Sequence, residues 1–209
     1  LDIVKNELWA HKEEVQKTGL FFSFTTDPLL RETERLTRQA VGVCQRHGVP
    51  VKILSKCAEG LNRFIDFAEA SEGWDVSRIA LGATLTGCDE LEPNADPNMM
   101  RVNVLARAKR HGFRTFASVE PIPPGMYDRA IGIIKLSYPF VDLYKIGLQS
   151  GGKYPKREIR LIYDTITEHW EGQPRIYWKD SIVNPLGIDR GELPGYCVPV
   201  NWDLFNNEK

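Results

Sequence analysis

The feature that most limits what this chain can fold into is a rhythm. Short apolar runs recur at Leu20–Phe24, Val51–Ser55, Ile79–Leu85, Thr115–Val119, Leu143–Leu148 and Arg175–Lys179, and most of the gaps between them hold an amphipathic, charged stretch. The runs are rich in Val, Ile, Leu, Phe and Tyr, as expected of strands covered on both faces. Between two of them, RETERLTRQAVGVCQRHG places Leu36, Ala40, Val43 and Cys44 on one helical face and stops at Gly48. RVNVLARAKRHG repeats the design with Val102, Leu105 and Ala108, and DRAIGIIKLSYPF and KREIRLIYDTITEHW supply two more helices. Strand, loop and helix repeated this often imply parallel strands joined by crossovers.

The expected fold is therefore α/β: a partial (βα) barrel of TIM type, with about six parallel strands over residues 1–183. Residues 184–209 lose periodicity, gain Pro and Gly, and are expected to pack on the barrel as an irregular tail. A doubly wound open sheet is the main competitor, but it usually carries a Gly-rich turn after its first strand, and none is present. The first segment, LDIVKNELWAHKEEVQKTG, reads as a helix, and in such a repeat a strand is expected before it.

At 209 residues the chain has the size of one such domain, and a net charge of −1 argues against broad attraction to nucleic acid or anionic lipid, while leaving room for a local basic groove. No apolar run approaches the roughly 20 residues of a membrane span, and no signal peptide is visible. Cys44, Cys57, Cys88 and Cys197 are scattered, with no CxxC or CxxxC pair, so they read as reduced thiols of a cytoplasmic protein. His11, His47, His111 and His169 fall on expected helices or their ends, and neither a zinc site nor a triad is anticipated. P-loop, GxGxxG, HExxH and GxSxG patterns are all absent.

In parallel α/β folds, ligands bind at the C-terminal strand ends. The first strand ends in Ser23, Thr25, Thr26 and Asp27, the second in Ser55 and Lys56, the third in Thr84 and Thr86, and the fourth in Ser118 and Glu120. Gln149, Ser150 and two glycines follow the fifth, and Lys179, Asp180 and Ser181 the sixth. One such residue means little: Asp27 before Pro28 also suits a helix N-cap, Lys56 a surface lysine, and Lys179 with Asp180 an exposed pair. Polar ends on six successive runs point to a ligand, because buried polar groups are costly without partners.

Five segments in order, TTDPLLRETERLTR, VPVKILSKC, LGATLTGCDELEPNADPNMMR, HGFRTFASVEPIPPG and DLYKIGLQSGG, resemble the radical S-adenosylmethionine enzymes, in the branch that includes spore photoproduct lyase. The resemblance covers residues 20–152. It implies an enzyme that cleaves S-adenosylmethionine with an electron from a 4Fe–4S cluster, giving a 5′-deoxyadenosyl radical that takes hydrogen from a small-molecule or nucleic-acid substrate. A flavodoxin or ferredoxin would supply the electron. By the same resemblance, Ser23, Thr25, Thr26 and Asp27 would hold the methionine ammonium, and Lys56, helped by Thr84, its carboxylate. Arg101 would reach the carboxylate or steady Glu92, and Gly147 would admit the adenine. Cys88 and Glu120 are the implied catalytic candidates. The family's CxxxCxxC loop is not in this chain, so the cluster ligands are expected upstream of Leu1; SKC also stands where the branch has TKS.

Two other functions suit the same residues. One is a hydrolase or a lyase using Lys56 or Lys179 as a Schiff-base lysine with Glu120. The other is a non-catalytic barrel that grips a nucleotide or nucleic acid through Lys145, Lys153, Lys156, Arg157 and Tyr154 at the mouth.

Overall fold

The computed structural model describes residues 2–22 and 26–205. Six parallel strands form one open sheet in chain order: β1 (Leu20–Phe22), β2 (Val51–Ser55), β3 (Ile79–Thr84), β4 (Arg114–Ile122), β5 (Leu143–Leu148) and β6 (Arg175–Trp178). Helices α1 (Asp2–Ala10) and α2 (Lys12–Thr18) precede β1, and α3 (Glu34–Arg46), α4 (Ala58–Glu69), α5 (Asn98–Arg110), α6 (Tyr127–Ser137) and α7 (Lys156–Glu168) fill the crossovers. A last helix, α8 (Asp180–Leu186), follows β6 and so crosses the expected boundary between barrel and tail. Strand order equal to chain order is what a partial barrel requires, and the α/β expectation holds. Among strand ends, β4 runs three residues past the anticipated Val119, and Phe24 lies outside the described residues.

Why these runs become strands is visible in which face each residue serves. Val51, Ile53, Ile79, Leu81, Ala117, Val119, Tyr144, Ile146, Ile176 and Trp178 pack with the helices in the main core. Fully burying one such large side chain stabilises the fold by roughly 1.5–3 kcal/mol. The alternate positions share the concave face. Across it the register aligns Leu54 with Gly82, Phe116, Leu143 and Arg175, and one layer higher Thr84 with Ser118, Lys145 and Tyr177. Gly82 lacks a side chain because the Phe116 ring fills its place, where a Cβ would lie 2.3 Å from the ring.

The tail follows this concave face. Cys197 pairs in parallel beside Ile176 at the open edge of β6, satisfying backbone groups that an edge strand leaves bare. Val198, Trp202, Leu204 and Phe205 then pack with Ala80, Phe116 and Leu143. One helix face departs from the sequence reading: Leu36 is 59% exposed, and Thr37 and Val41 turn inward instead.

Candidate functional site at the strand ends

The polar strand ends gather into two networks on one edge of the sheet. In the first, Asp27 Oδ1 accepts from the Leu29 N–H at 3.0 Å and from Ser55 Oγ at 2.7 Å, while Oδ2 accepts from the Lys56 N–H at 2.7 Å. That carboxylate therefore stitches the segment after β1 to the end of β2. Ser55 Oγ accepts in turn from the Cys57 N–H at 2.9 Å, and the Cys57 sulfur caps α4. Lys56 is left pointing its ammonium at Glu92, 2.6 Å from Oε1, in a close ion pair.

Glu92 is the centre of this half. Its Oε2 accepts from Thr86 Oγ1 at 2.7 Å and from Arg101 Nη2 at 2.9 Å. Arg101, on α5, is wholly buried and spends its other terminal nitrogen on the Thr84 carbonyl at 2.6 Å. Burial would raise the Glu92 carboxyl, but bonds from Lys56, Thr86 and Arg101, with the Arg101 charge, together hold it below the usual carboxylate value. Thr84 is buried, and its carbonyl is what the network holds. Asp27, Lys56, Cys57 and Glu92 line a hollow of about 400 Å³ closed by Leu91 and residues 93–96; Thr84 lies outside that lining.

In the second network, at the ends of β4–β6, Ser118 Oγ donates to Glu120 Oε1 at 2.8 Å and Lys179 ion-pairs with Oε2. Both sit over Gly147, where a Cβ would come 2.9 Å from Lys179 Cδ and 3.2 Å from Glu120 Oε2. The bare glycine is what admits the pair to the strand surface. Beneath it on the concave face lies Lys145, its ammonium 5.2 Å and 5.6 Å from the ring centres of Phe21 and Phe116. Burial, and then the charges of Lys52 and Lys179, push its pKa down against the opposing pull of Glu120. Sequence reading placed Lys145 only among mouth cations. The signal was available in VKILS and LYKIG, where a lysine interrupts a buried strand.

The remaining candidates divide. Ser23 and Thr25 lie outside the described residues, and Thr26 is exposed beside Asp27. Cys88 is fully buried, and burial pushes its thiol up. The Tyr154 hydroxyl accepts from the Gln149 N–H at 3.0 Å and donates to the Ile122 carbonyl, so it ties a loop down. No cluster of His, Cys, Asp or Glu among the described residues could hold a metal ion, and no helix among them is long and apolar enough to cross a membrane.

Neither a family model nor a curated protein matches the chain. Among solved structures, Streptococcus suis SuiB bound to S-adenosylmethionine matches 68% of this chain with a TM-score of 0.50 and 11% identity. The chain spans about a third of that structure, 35% of its length. What the two share is the fold.

Proposed function

We propose that this chain is the cofactor-holding part of a radical S-adenosylmethionine enzyme, with S-adenosylmethionine seated over the C-terminal strand ends. The observation that carries the reading is the Lys56–Glu92 pair at a hollow of about 400 Å³, fixed by Arg101 and Thr86 on the outer edge of a parallel half-barrel. A cation and an anion side by side suit a zwitterionic amino-acid end, which can exchange its carboxylate and ammonium into the pair. Lys56 takes the carboxylate. Asp27, in the same hollow, serves the ammonium with Thr26, and its bonds to Ser55 and to the Lys56 backbone set where that lysine starts. Arg101, buried beneath them, is a positioning residue that holds Glu92 and the Thr84 carbonyl. Gly147 offers the adenine a flat stretch of β5 once Lys179 swings aside. Glu120 borders that space, and the small-molecule or nucleic-acid substrate would enter over it.

When bound with a reduced 4Fe–4S cluster, S-adenosylmethionine supplies hydrogen-abstraction chemistry. The cysteines described here do not gather to hold that cluster, and no step is assigned through it. Equilibrium dialysis with labelled S-adenosylmethionine tests the reading. Saturable binding is expected, weakened tenfold or more by Lys56→Met; no saturation, or equal binding by the variant, rejects it.

A second reading has one observation in its favour. Lys145 is half-buried against two aromatic rings beside two other cations, the setting that lowers a lysine pKa for Schiff-base formation. Borohydride trapping with small carbonyl compounds would label Lys145 under that reading and leave it unlabelled under the first.

A further inference from the structure

A hollow larger than the one at the strand ends lies elsewhere on the molecule. It is an open groove of about 740 Å³ on the outer surface between α3 and α4, and arginines dominate its rim: Arg31, Arg35, Arg38, Arg46 and Arg63. Three of them, Arg35, Arg38 and Arg46, lie on α3 at intervals of three and eight residues, which a helix presents along a single face, and Arg31 stands in the turn just before it. A single acid, Glu34, lines the groove with them. It is 9% exposed and is spent on two of the five, meeting Arg38 and accepting from Arg63 Nε at 2.8 Å with Nη2 at 2.7 Å. Arg38 is pinned further, its guanidinium lying 4.6 Å over the Phe67 ring, and Arg63 also faces Glu59 at 3.6 Å. Arg31, Arg35 and Arg46 are exposed and have no carboxylate partner among the described residues.

Midway along the groove Gly42 leaves a gap: a Cβ there would stand 3.4 Å from Trp74 Cζ2 and 3.7 Å from Arg46 Nη1. Half-buried Trp74 and Phe67 thus form an aromatic wall directly beside the free cations. Arg35 and Arg46 lie eleven residues apart, or about 16 Å along the helix at 1.5 Å per residue, too far for one small anion to bridge. Guanidinium forks match phosphate oxygens in pairs, and aromatic walls among cations accept unstacked bases. A recessed wall is out of reach of bases stacked inside a duplex and has no use at a lipid surface.

We propose that this groove binds the backbone of a single-stranded nucleic acid, with Arg31, Arg35 and Arg46 on separate phosphates along one strand and a base against Trp74. The inference is independent of the cofactor reading, since none of these residues lines the strand-end hollow.

Fluorescence anisotropy with labelled dT15 and U15 tests it. Saturable binding is expected to weaken with salt at a log–log slope of about −2, the value for three phosphate contacts on a single strand. The triple variant R31E/R35E/R46E should lose at least tenfold in affinity with an unchanged melting temperature and unchanged S-adenosylmethionine dialysis. Reversing Lys153, Lys156 and Arg157 to glutamate at the strand mouth should leave oligonucleotide binding intact. Preference between dT15 and U15 tells DNA from RNA, and either result supports the groove. If the triple variant fails to fold, Arg35→Gln alone should lower the salt slope by about 0.7. The proposal is overturned if oligonucleotide binding is absent, if it survives the groove variants, or if polyglutamate or anionic vesicles bind as tightly as dT15.

Discussion

The two halves of the strand-end edge use the same chemistry, a lysine against a glutamate with a hydroxyl donor beside it, and bury it very differently. At β1–β3 the Glu92 side chain is 9% exposed and rests on an arginine that is fully enclosed. At β4–β6 Glu120 is 27% exposed and its lysine 37%, and only Ser118 steadies the pair. A buried network is fixed by the cost of leaving any member unpaired, whereas a wet pair is worth little and can change partners. The first half is thus scaffold for the hollow it lines, and the second half is the adjustable side. Of the groups described around Glu92, Lys56, 45% exposed, is the one free to trade its partner for a ligand.

The hardest blow to this contrast comes at Arg101. Arg101→Met removes a fully buried guanidinium, taking one charged partner from the Glu92 carboxylate and a donor from the Thr84 carbonyl. We expect a loss of about 3–5 kcal/mol in denaturant unfolding, the range for breaking one side of a buried pair. A loss below about 1 kcal/mol would mean that the enclosed network is no more structural than a surface pair.

Glu92 gives the same contrast a pH signature. Its carboxyl is held below the ordinary value of 4.5, so its contribution is fully present above that pH and is lost as the pH falls through the folded-state value. Unfolding measured between pH 7 and pH 3 should therefore show an acid limb that Glu92→Gln flattens. At neutral pH the same substitution should cost about 1.5–3 kcal/mol, the worth of hydrogen bonds to a charged group.

How much of this was open to a reader of the sequence follows from what each residue does. The strands were legible because burial on both faces writes continuous apolar runs, and the polar strand ends were legible because each run stops in hydroxyls or charges. Partners were not. The resemblance offered Glu92 as one contact of Arg101, and that bond is present, but nothing in LEPNADPNMMR says that the guanidinium is fully buried and also holds the Thr84 carbonyl. Asp27 suited a helix N-cap, but the next helix begins only at Glu34; its bond from the Leu29 N–H closes a turn, and its bonds to Ser55 and Lys56 exist only because β1 and β2 lie side by side. Leu36 misled because it keeps the helical period while sitting just off the buried stripe. The arginines at the start of α3 were in plain view as RETERLTR, yet their meaning depends on Trp74, contributed by a distant turn.

A smaller effect is expected on the concave face, where burial of Lys145 outweighs the pull of Glu120. Because its folded-state pKa is depressed, the charged form is penalised at neutral pH, and that penalty fades as the pH rises through the folded value. Lys145→Met should therefore stabilise the protein at pH 7 by about 1 kcal/mol, with the advantage shrinking in alkaline unfolding measurements. A stabilising substitution in a strand that lines the concave face would mark Lys145 as a residue kept for what it binds rather than for the fold. A destabilised variant would instead assign Lys145 to the aromatic packing around it.

The smallest change belongs to Gly147 and Lys179. Lys179→Ala removes a partly wet pair and should cost no more than about 1 kcal/mol, against the several expected at Arg101. Gly147→Ala places a methyl 2.9 Å from Lys179 Cδ, but that atom belongs to a flexible chain that can move off the strand. The two substitutions should therefore be non-additive: Gly147→Ala costs less in the Lys179→Ala background, where the 2.9 Å approach is gone and only the 3.2 Å approaches of the residue-179 Cβ and Glu120 Oε2 remain. The cycle also separates two roles for the glycine. If it serves only to seat Lys179, its replacement is silent once Lys179 is absent. If it keeps β5 open to a flat ring, Gly147→Ala weakens S-adenosylmethionine binding in both backgrounds, although stability scarcely changes in either.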